Sequence, residues 1–383
     1  MVAGARIIAA IAVLLLTGSG RAATPGANPS RVLWQGPTFA GDGVVWEEEA
    51  GGKGSLHLWT QPLGERVVYR SDTLALGRPL AASSTLLAFE RAYPSCPPSP
   101  GRVCPEATDS LVGPPAGPYR TLVRPRTCFT ATVGSALALE GGIAAYLELD
   151  CASERLRVLV RDIARRGAPR VLHDAALSSA CCRDVAIAGR HVAWIDGRDV
   201  VVYDRLVRRA AYRARIGPAP IDVDLGFALQ QDGKLAVAYR LVELARTGPA
   251  TVAWRSRSAP RLHVLRLRAH DTRVRIADDR IAFAKYGTAK TSALVVADLA
   301  GHARTVARFV PPTRLRGFDF DGGRIVWASD RVTATRTDCP PPGQGRPCVL
   351  RESGITTIWL QTLRSGAPRV VARLPYVDTL ARP

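Results

Sequence analysis

One short phrase recurs along this chain: a turn built on Gly or Asp, then an apolar run that usually ends in an aromatic residue. It reads Gly41-Asp42-Gly43-Val44-Val45-Trp46 and, less regularly, Ser84-Thr85-Leu86-Leu87-Ala88-Phe89. It returns as Gly141-Gly142-Ile143-Ala144-Ala145-Tyr146 and Gly189-Arg190-His191-Val192-Ala193-Trp194. A fifth copy, Asp232-Gly233-Lys234-Leu235-Ala236-Val237, has Tyr239 as its nearest aromatic residue. The last two are Asp278-Asp279-Arg280-Ile281-Ala282-Phe283 and Asp321-Gly322-Gly323-Arg324-Ile325-Val326-Trp327. Repeats of roughly 20–50 residues belong to stacked or radial architectures and constrain the fold more than any single residue does.

Each copy sits inside a larger unit. An apolar strand precedes the turn, as at 184–188 and 315–320. A second hairpin follows the aromatic residue, as at 199–204 and 293–298, and a further strand closes the unit, as at 170–173, 304–309 and 369–374. Alternating β-branched residues bounded by Gly, Pro and Asp mark strands, and no helical periodicity is sustained. Four antiparallel strands repeated every 40–50 residues or so predict one blade each of an all-β fold, a single β-propeller. Seven copies give seven blades of four antiparallel strands; the irregular second unit leaves six or eight open. A lone blade exposes both faces and its edges, so blades stack radially, with Trp46, Trp194, Phe283 and Trp327 between them. The segment 31–34 reads like 369–372, a fourth strand placed before the first blade, and is expected to pair with the last blade as a latch.

Two stretches depart most from the repeat, residues 91–118 and 333–354. Both are rich in Pro, Gly and Cys and fall at the connection between the second and third strands. They are therefore expected on one face of the disc, where rigid loops commonly carry function. Cys96 with Cys104, and Cys339 with Cys348, are expected to clip these loops. Cys128, Cys151, Cys181 and Cys182 are expected to pair among themselves, with three connectivities open. Vicinal pairing of Cys181 with Cys182 is disfavoured by strain. Zinc is the alternative use for cysteines, but the Cys-x2-Cys spacing is missing, so no metal is expected.

The phrase Phe318-Asp319-Phe320-Asp321-Gly322-Gly323-Arg324-Ile325-Val326-Trp327-Ala328-Ser329-Asp330 resembles the WD40-like (PD40) repeat of TolB-type propellers, and residues 231–237 are similar to it. The family's pattern has an Asp-Gly turn, an Ile-Ala-Phe-like run and a Ser-Asp turn. The Pro that commonly precedes its Asp-Gly is absent here. So is the separate N-terminal α/β domain of TolB itself, since the repeats begin directly after the leader. The resemblance implies a propeller and an envelope or extracellular setting; it transfers no functional residue.

The ends and composition bear on location. Arg6, the apolar run 7–16 and the small residues 17–23 have the order of a secretory signal. The expected organisation is a signal peptide at 1–22 and a propeller domain at 23–383, secreted to the periplasm, envelope or exterior. No apolar stretch reaches the roughly 20 residues a membrane helix needs, so no membrane span is expected in the mature chain. The even count of eight cysteines suits an oxidising compartment. The net charge of +19 is almost all arginine, which with abundant alanine reads as a GC-rich bacterial genome; a field attracting anionic polymers is the functional alternative.

Catalytic signatures are largely missing. The chain has no Gly-x-Ser-x-Gly elbow, no His-Glu-x-x-His and no phosphate loop. Its six histidines are scattered, none pairs with another at a ligand spacing, and most read as strand or turn residues at the surface. Residues two apart on a strand share a face, so Asp222 with Asp224, and Asp319 with Asp321, are the candidate channel carboxylates. Such pairs serve glycoside chemistry as acid and base, or bind a hard cation. The arginines at 155–170 and 205–215 alternate across strands and disfavour nucleic acid as a partner. The leading expectation is an exported, non-catalytic binding or scaffold propeller that takes a protein or an anionic envelope polymer and needs no cofactor. The alternative is a propeller enzyme of glycosidase or lyase type. Ligand and oligomeric state are left open.

Overall fold

The computed structural model describes residues 31–381 except 51–52, 72–75, 95–105, 124–136, 151–152, 177–184, 198, 216–226, 232–234, 242–249, 257–262, 268–273, 278–279, 287–290, 299, 340–347 and 365. Every regular element described is a strand. The first sheet holds β1 (Arg31–Ala40), β2 (Gly43–Ala50), β3 (Lys53–Thr60) and β4 (Gly64–Arg70). The second holds β5 (Leu76–Ala82), β6 (Leu87–Pro94), β7 (Glu106–Gly113) and β8 (Arg120–Val123). In the third are β9 (Leu137–Glu140), β10 (Ile143–Asp150), β11 (Arg155–Asp162) and β12 (Arg170–Ala176). The fourth comprises β13 (Val185–Ala188), β14 (His191–Asp196), β15 (Asp199–Asp204) and β16 (Arg209–Arg215). The fifth comprises β17 (Phe227–Gln231), β18 (Leu235–Leu241), β19 (Ala250–Ser256) and β20 (His263–Leu267). Next come β21 (Val274–Ala277), β22 (Arg280–Tyr286), β23 (Ser292–Asp298) and β24 (Ala303–Phe309). The last sheet holds β25 (Thr313–Phe320), β26 (Arg324–Asp338), β27 (Val349–Thr362) and β28 (Arg369–Ala381).

Within every sheet the strands pair in chain order and antiparallel, and the first strands of successive sheets approach one another around one axis, with β25 returning to β1. This is a β-propeller. The expectation of seven like blades is corrected in two respects. Side-chain packing is described for six blades of four antiparallel strands, whereas the sheet β17–β20 is placed by backbone register alone. Residues 31–34 also do not form the expected latch. β1 pairs with β2 from Ala40↔Gly43 to Arg31↔Ala50, so residues 31–34 are the start of an innermost strand of their own blade. The two-residue turn at Gly41-Asp42 explains why: it returns the chain immediately and leaves β1 no slack to reach another sheet.

The repeated phrase makes the first hairpin of each blade. Gly41, Gly141 and Gly189 all adopt positive φ, between 52° and 59°, at the same place in their turns, which is the conformation glycine tolerates without penalty. The apolar run that follows is buried on both faces, since each blade has a neighbour on either side. Val45, Leu56 and Leu58 of the first blade pack against Leu87, Phe89 and Leu111 of the second. Trp194 fills the space between the third and fourth blades with Leu156 and Val158. Trp327 does so between the last two, with Leu294 and Val296. Trp46 is fully buried against Val326, Ile358 and Leu374 of the last blade.

Among the described residues, side chains bridge the seam between the first and last blades. Asp319 accepts from Thr38 Oγ1 at 2.6 Å and from the Phe39 amide at 2.9 Å. Arg316 donates to the Leu33 carbonyl. Arg324 donates to the Gly41 carbonyl at 2.9 Å and lies over the Phe39 ring. At the outer rim Arg369 donates to Gln61 Oε1 at 2.6 Å and covers Trp59.

Candidate functional site

The sequence-derived carboxylates divide into separate fates. Asp222 and Asp224 lie outside the described residues. Asp319, near the end of β25, faces its neighbours: besides β1 it accepts from Arg275 Nε of β21 at 2.8 Å, so it joins three innermost strands. Asp321 caps its own hairpin turn, accepting from the Arg324 amide at 2.6 Å and from its guanidinium at 2.7 Å. The two carboxylates share no partner in these hydrogen bonds. Among the cysteines, Cys339 and Cys348 form a disulfide, and Cys96, Cys104, Cys128, Cys151, Cys181 and Cys182 lie outside the described residues. Many of the arginines suspected as a basic surface are spent internally. Arg155 and Arg157 hold Asp174, whose carboxyl they keep below the usual range, while Arg161 and Arg170 donate to backbone carbonyls.

Both Cys-rich insertions do fall between second and third strands, at β6–β7 and β26–β27, and so at one end of the disc. They flank the first blade from either side. In the last blade the strands themselves run on: β26, β27 and β28 have 15, 14 and 13 residues, against 4 to 8 in most of the others. Pairing with β25 stops at Arg331, yet β26 and β27 stay in register to Asp338↔Val349, and β28 follows β27 to Ala381. The result is a three-stranded wing rising about 23 Å beyond the blade, at roughly 3.3 Å per residue. Residues Thr333 to Thr337 of β26 are exposed on both faces, whereas 349–353 of the central strand β27 are half-buried. The disulfide closes its tip, and Asp338 takes Arg336 at 2.7 Å and Arg351 at 2.9 Å across it.

At the root of the wing is a buried polar nest. Asp330, 1 % exposed, accepts from Thr356 Oγ1 at 2.7 Å and from Arg316 at 3.1 Å. Arg314 pairs with Glu352 at 2.8 Å and reaches Asp330 at 3.3 Å. Beside them Tyr376 is 2 % exposed and its hydroxyl has no hydrogen-bond partner among the described residues. Burial, reinforced by the Asp330 carboxylate, pushes its phenol up to about 12.

The first blade contains a cluster that sequence reasoning missed. Ser55 and His57 are two residues apart on β3 and so share a face. Ser55 Oγ lies 2.8 Å from His57 Nε2, and His57 Nδ1 lies 2.8 Å from Glu65 Oε1 on β4. A register shift between Leu56 and His57 in the β3–β4 pairing brings Glu65 to that position. His57 is buried, stacked on Trp46 at 5.5 Å, and Trp46 Nε1 donates to Glu48 Oε1 at 2.6 Å. Glu48 Oε1 stands 3.7 Å from His57 Nε2. Donor atoms of Glu48, His57 and Glu65 all fall within 4.8 Å of one another. The two carboxylates nevertheless face opposite ring nitrogens, which suits a hydrogen-bonded chain and not shared ligation through one nitrogen. His57 is thus a buried exception to the reading of most histidines as surface residues. The Ser-x-His spacing on an alternating strand was the available signal.

No family model matches the chain, and no curated protein matches it. Solved structures do. One is the β-propeller domain of the Trilobed protease from Pyrococcus furiosus, which has an open velcro topology: identity is 12 %, coverage 90 % of this chain and 97 % of that one, and the TM-score 0.54. Another comes from work on two prolyl endopeptidases, with 14 % identity, 88 % of this chain covered and a TM-score of 0.50. This chain spans 54 % of that protein. At such identities the likeness establishes the fold alone, a β-propeller.

Proposed function

We propose that this protein is an exported binding propeller whose recognition surface is the face carrying the wing. In this reading residues 1–22 are removed on export and the remainder works in the envelope or outside the cell. The observation that carries it is the wing itself, a ribbon whose β26 strand is exposed on both faces from Thr333 to Thr337 and whose tip is clipped by the disulfide. Among the described residues both outer strands of the ribbon, β26 past Arg331 and β28, present an edge with no further strand paired to it. Free edges bind extended polypeptide by adding a strand, with main-chain hydrogen bonds for affinity. The ligand is accordingly an extended segment of another protein.

The test is capture from envelope and culture fluid of the producing cell, using the mature protein with disulfides intact. A second bait has 333–353 replaced by an Asn-Gly turn joining Val332 to Gly354. Salt-resistant capture by the first bait and its loss by the second, at an unchanged melting temperature, supports the reading. Undiminished capture by the shortened bait, or capture only of salt-labile anionic polymer, overturns it.

A further inference from the structure

The chain Ser55–His57–Glu65 has the connectivity of a nucleophile, its base and the group that orients the base. We propose that it is an acyl-transfer site, at which Ser55 attacks small carboxylic esters. This goes beyond the binding reading, which stands or falls separately.

Neutral His57 protonated on Nδ1 donates to Glu65 and accepts from Ser55, so one tautomer satisfies both 2.8 Å contacts and leaves Nε2 as the base. Stacking on Trp46 and burial fix the ring, which removes the rotamer freedom that would otherwise break the alignment. Ser55 itself is half-buried and accessible, and lies at the disc end that bears the wing, just past the connection between β2 and β3. Lys53 is exposed, two residues before Ser55 on the same face of β3.

The step balances within the site. Ser55 Oγ bonds to the ester carbonyl carbon as its proton passes to His57 Nε2. The tetrahedral adduct then collapses, the ester C–O bond breaks, and the imidazolium returns the proton to the leaving alkoxide. Water, deprotonated by the same nitrogen, hydrolyses the acyl-serine and restores Ser55. Glu65 does not touch the substrate and is a positioning residue.

The probe is a fluorophosphonate on the mature protein, read by mass spectrometry, with 4-nitrophenyl acetate for turnover. The expected result is one adduct, on Ser55, absent in Ser55→Ala. Labelling slows about a hundredfold or more in His57→Gln. Glu65→Gln lowers the rate constant and shifts its pH profile, whereas loss of a merely structural contact changes stability without moving the profile. Ser55→Ala, which removes a single oxygen, guards against misfolding as the cause and is checked by an unchanged melt. No adduct on natively folded wild-type protein, or labelling rates equal in wild type and His57→Gln, overturns the proposal.

Discussion

Replacing Asp319 by alanine tests how side chains close the seam between the first and last blades. The carboxylate serves three donors: the Phe39 amide at 2.9 Å, the Thr38 hydroxyl at 2.6 Å and Arg275 Nε at 2.8 Å. Their costs on deletion differ. The Phe39 amide belongs to a buried residue and has no substitute acceptor in the ladder position it occupies, which costs about 1–3 kcal/mol. The Thr38 hydroxyl is half-buried and contributes about 1 kcal/mol. Arg275 has 37 % of its side chain exposed and turns to solvent, so its pairing adds about 0–1 kcal/mol. The sum is about 2–5 kcal/mol, read from urea unfolding at neutral pH. Asp319→Asn keeps one acceptor oxygen toward β1 and is expected to lose less. Native-state hydrogen exchange adds a local reading: in Asp319→Ala the Phe39 amide exchanges faster than amides of β11, which lie far from the seam. A loss below about 0.5 kcal/mol, with Phe39 protection unchanged, refutes the idea that this seam is closed by side chains.

Tyr376→Phe removes a buried hydroxyl that has no described partner, and is expected to be neutral or stabilising by about 1 kcal/mol in the same unfolding assay. Burial raises the Glu140 carboxyl above its ordinary value, against the opposing Gly189 amide and Arg205. A raised carboxyl contributes stability below the unfolded value and loses it as pH rises through the folded one. Glu140→Gln is therefore expected to be more stable than wild type at pH 7, with the difference vanishing below about pH 4. In Cys339→Ser/Cys348→Ser the wing opens more readily: closing so short a loop is worth about 2.5–3 kcal/mol. Exchange at 331–338 is expected to rise up to about a hundredfold while the disc's melting temperature holds.

The propeller was readable because its repeat is a backbone requirement. The glycines at 41, 141 and 189 sit where the hairpin needs positive φ, and the run after each is apolar because both faces of a blade are covered. The two insertions and the Cys339–Cys348 clip were readable for the same reason, as departures from a known period. The role of residues 31–34 was not. Apolar alternation suits an innermost and an outermost strand equally, and only the Gly41-Asp42 turn assigns it to β2. Asp319 and Asp321 read as a pair if strand alternation continues, but β25 ends at Phe320, one residue too early for the rule to apply to Asp321. The Ser55–His57–Glu65 chain depends on a register shift between β3 and β4, which no pattern in the sequence announces.

The most direct test of the recognition surface is hydrogen-exchange footprinting of the mature protein bound to its captured partner. Recognition through the wing predicts slowed exchange along 331–338, 349–355 and 375–381, with the turns at 41–42, 141–142, 189–190 and 322–323 unchanged. Protection concentrated on those turns, which lie at the opposite end of the disc, contradicts it.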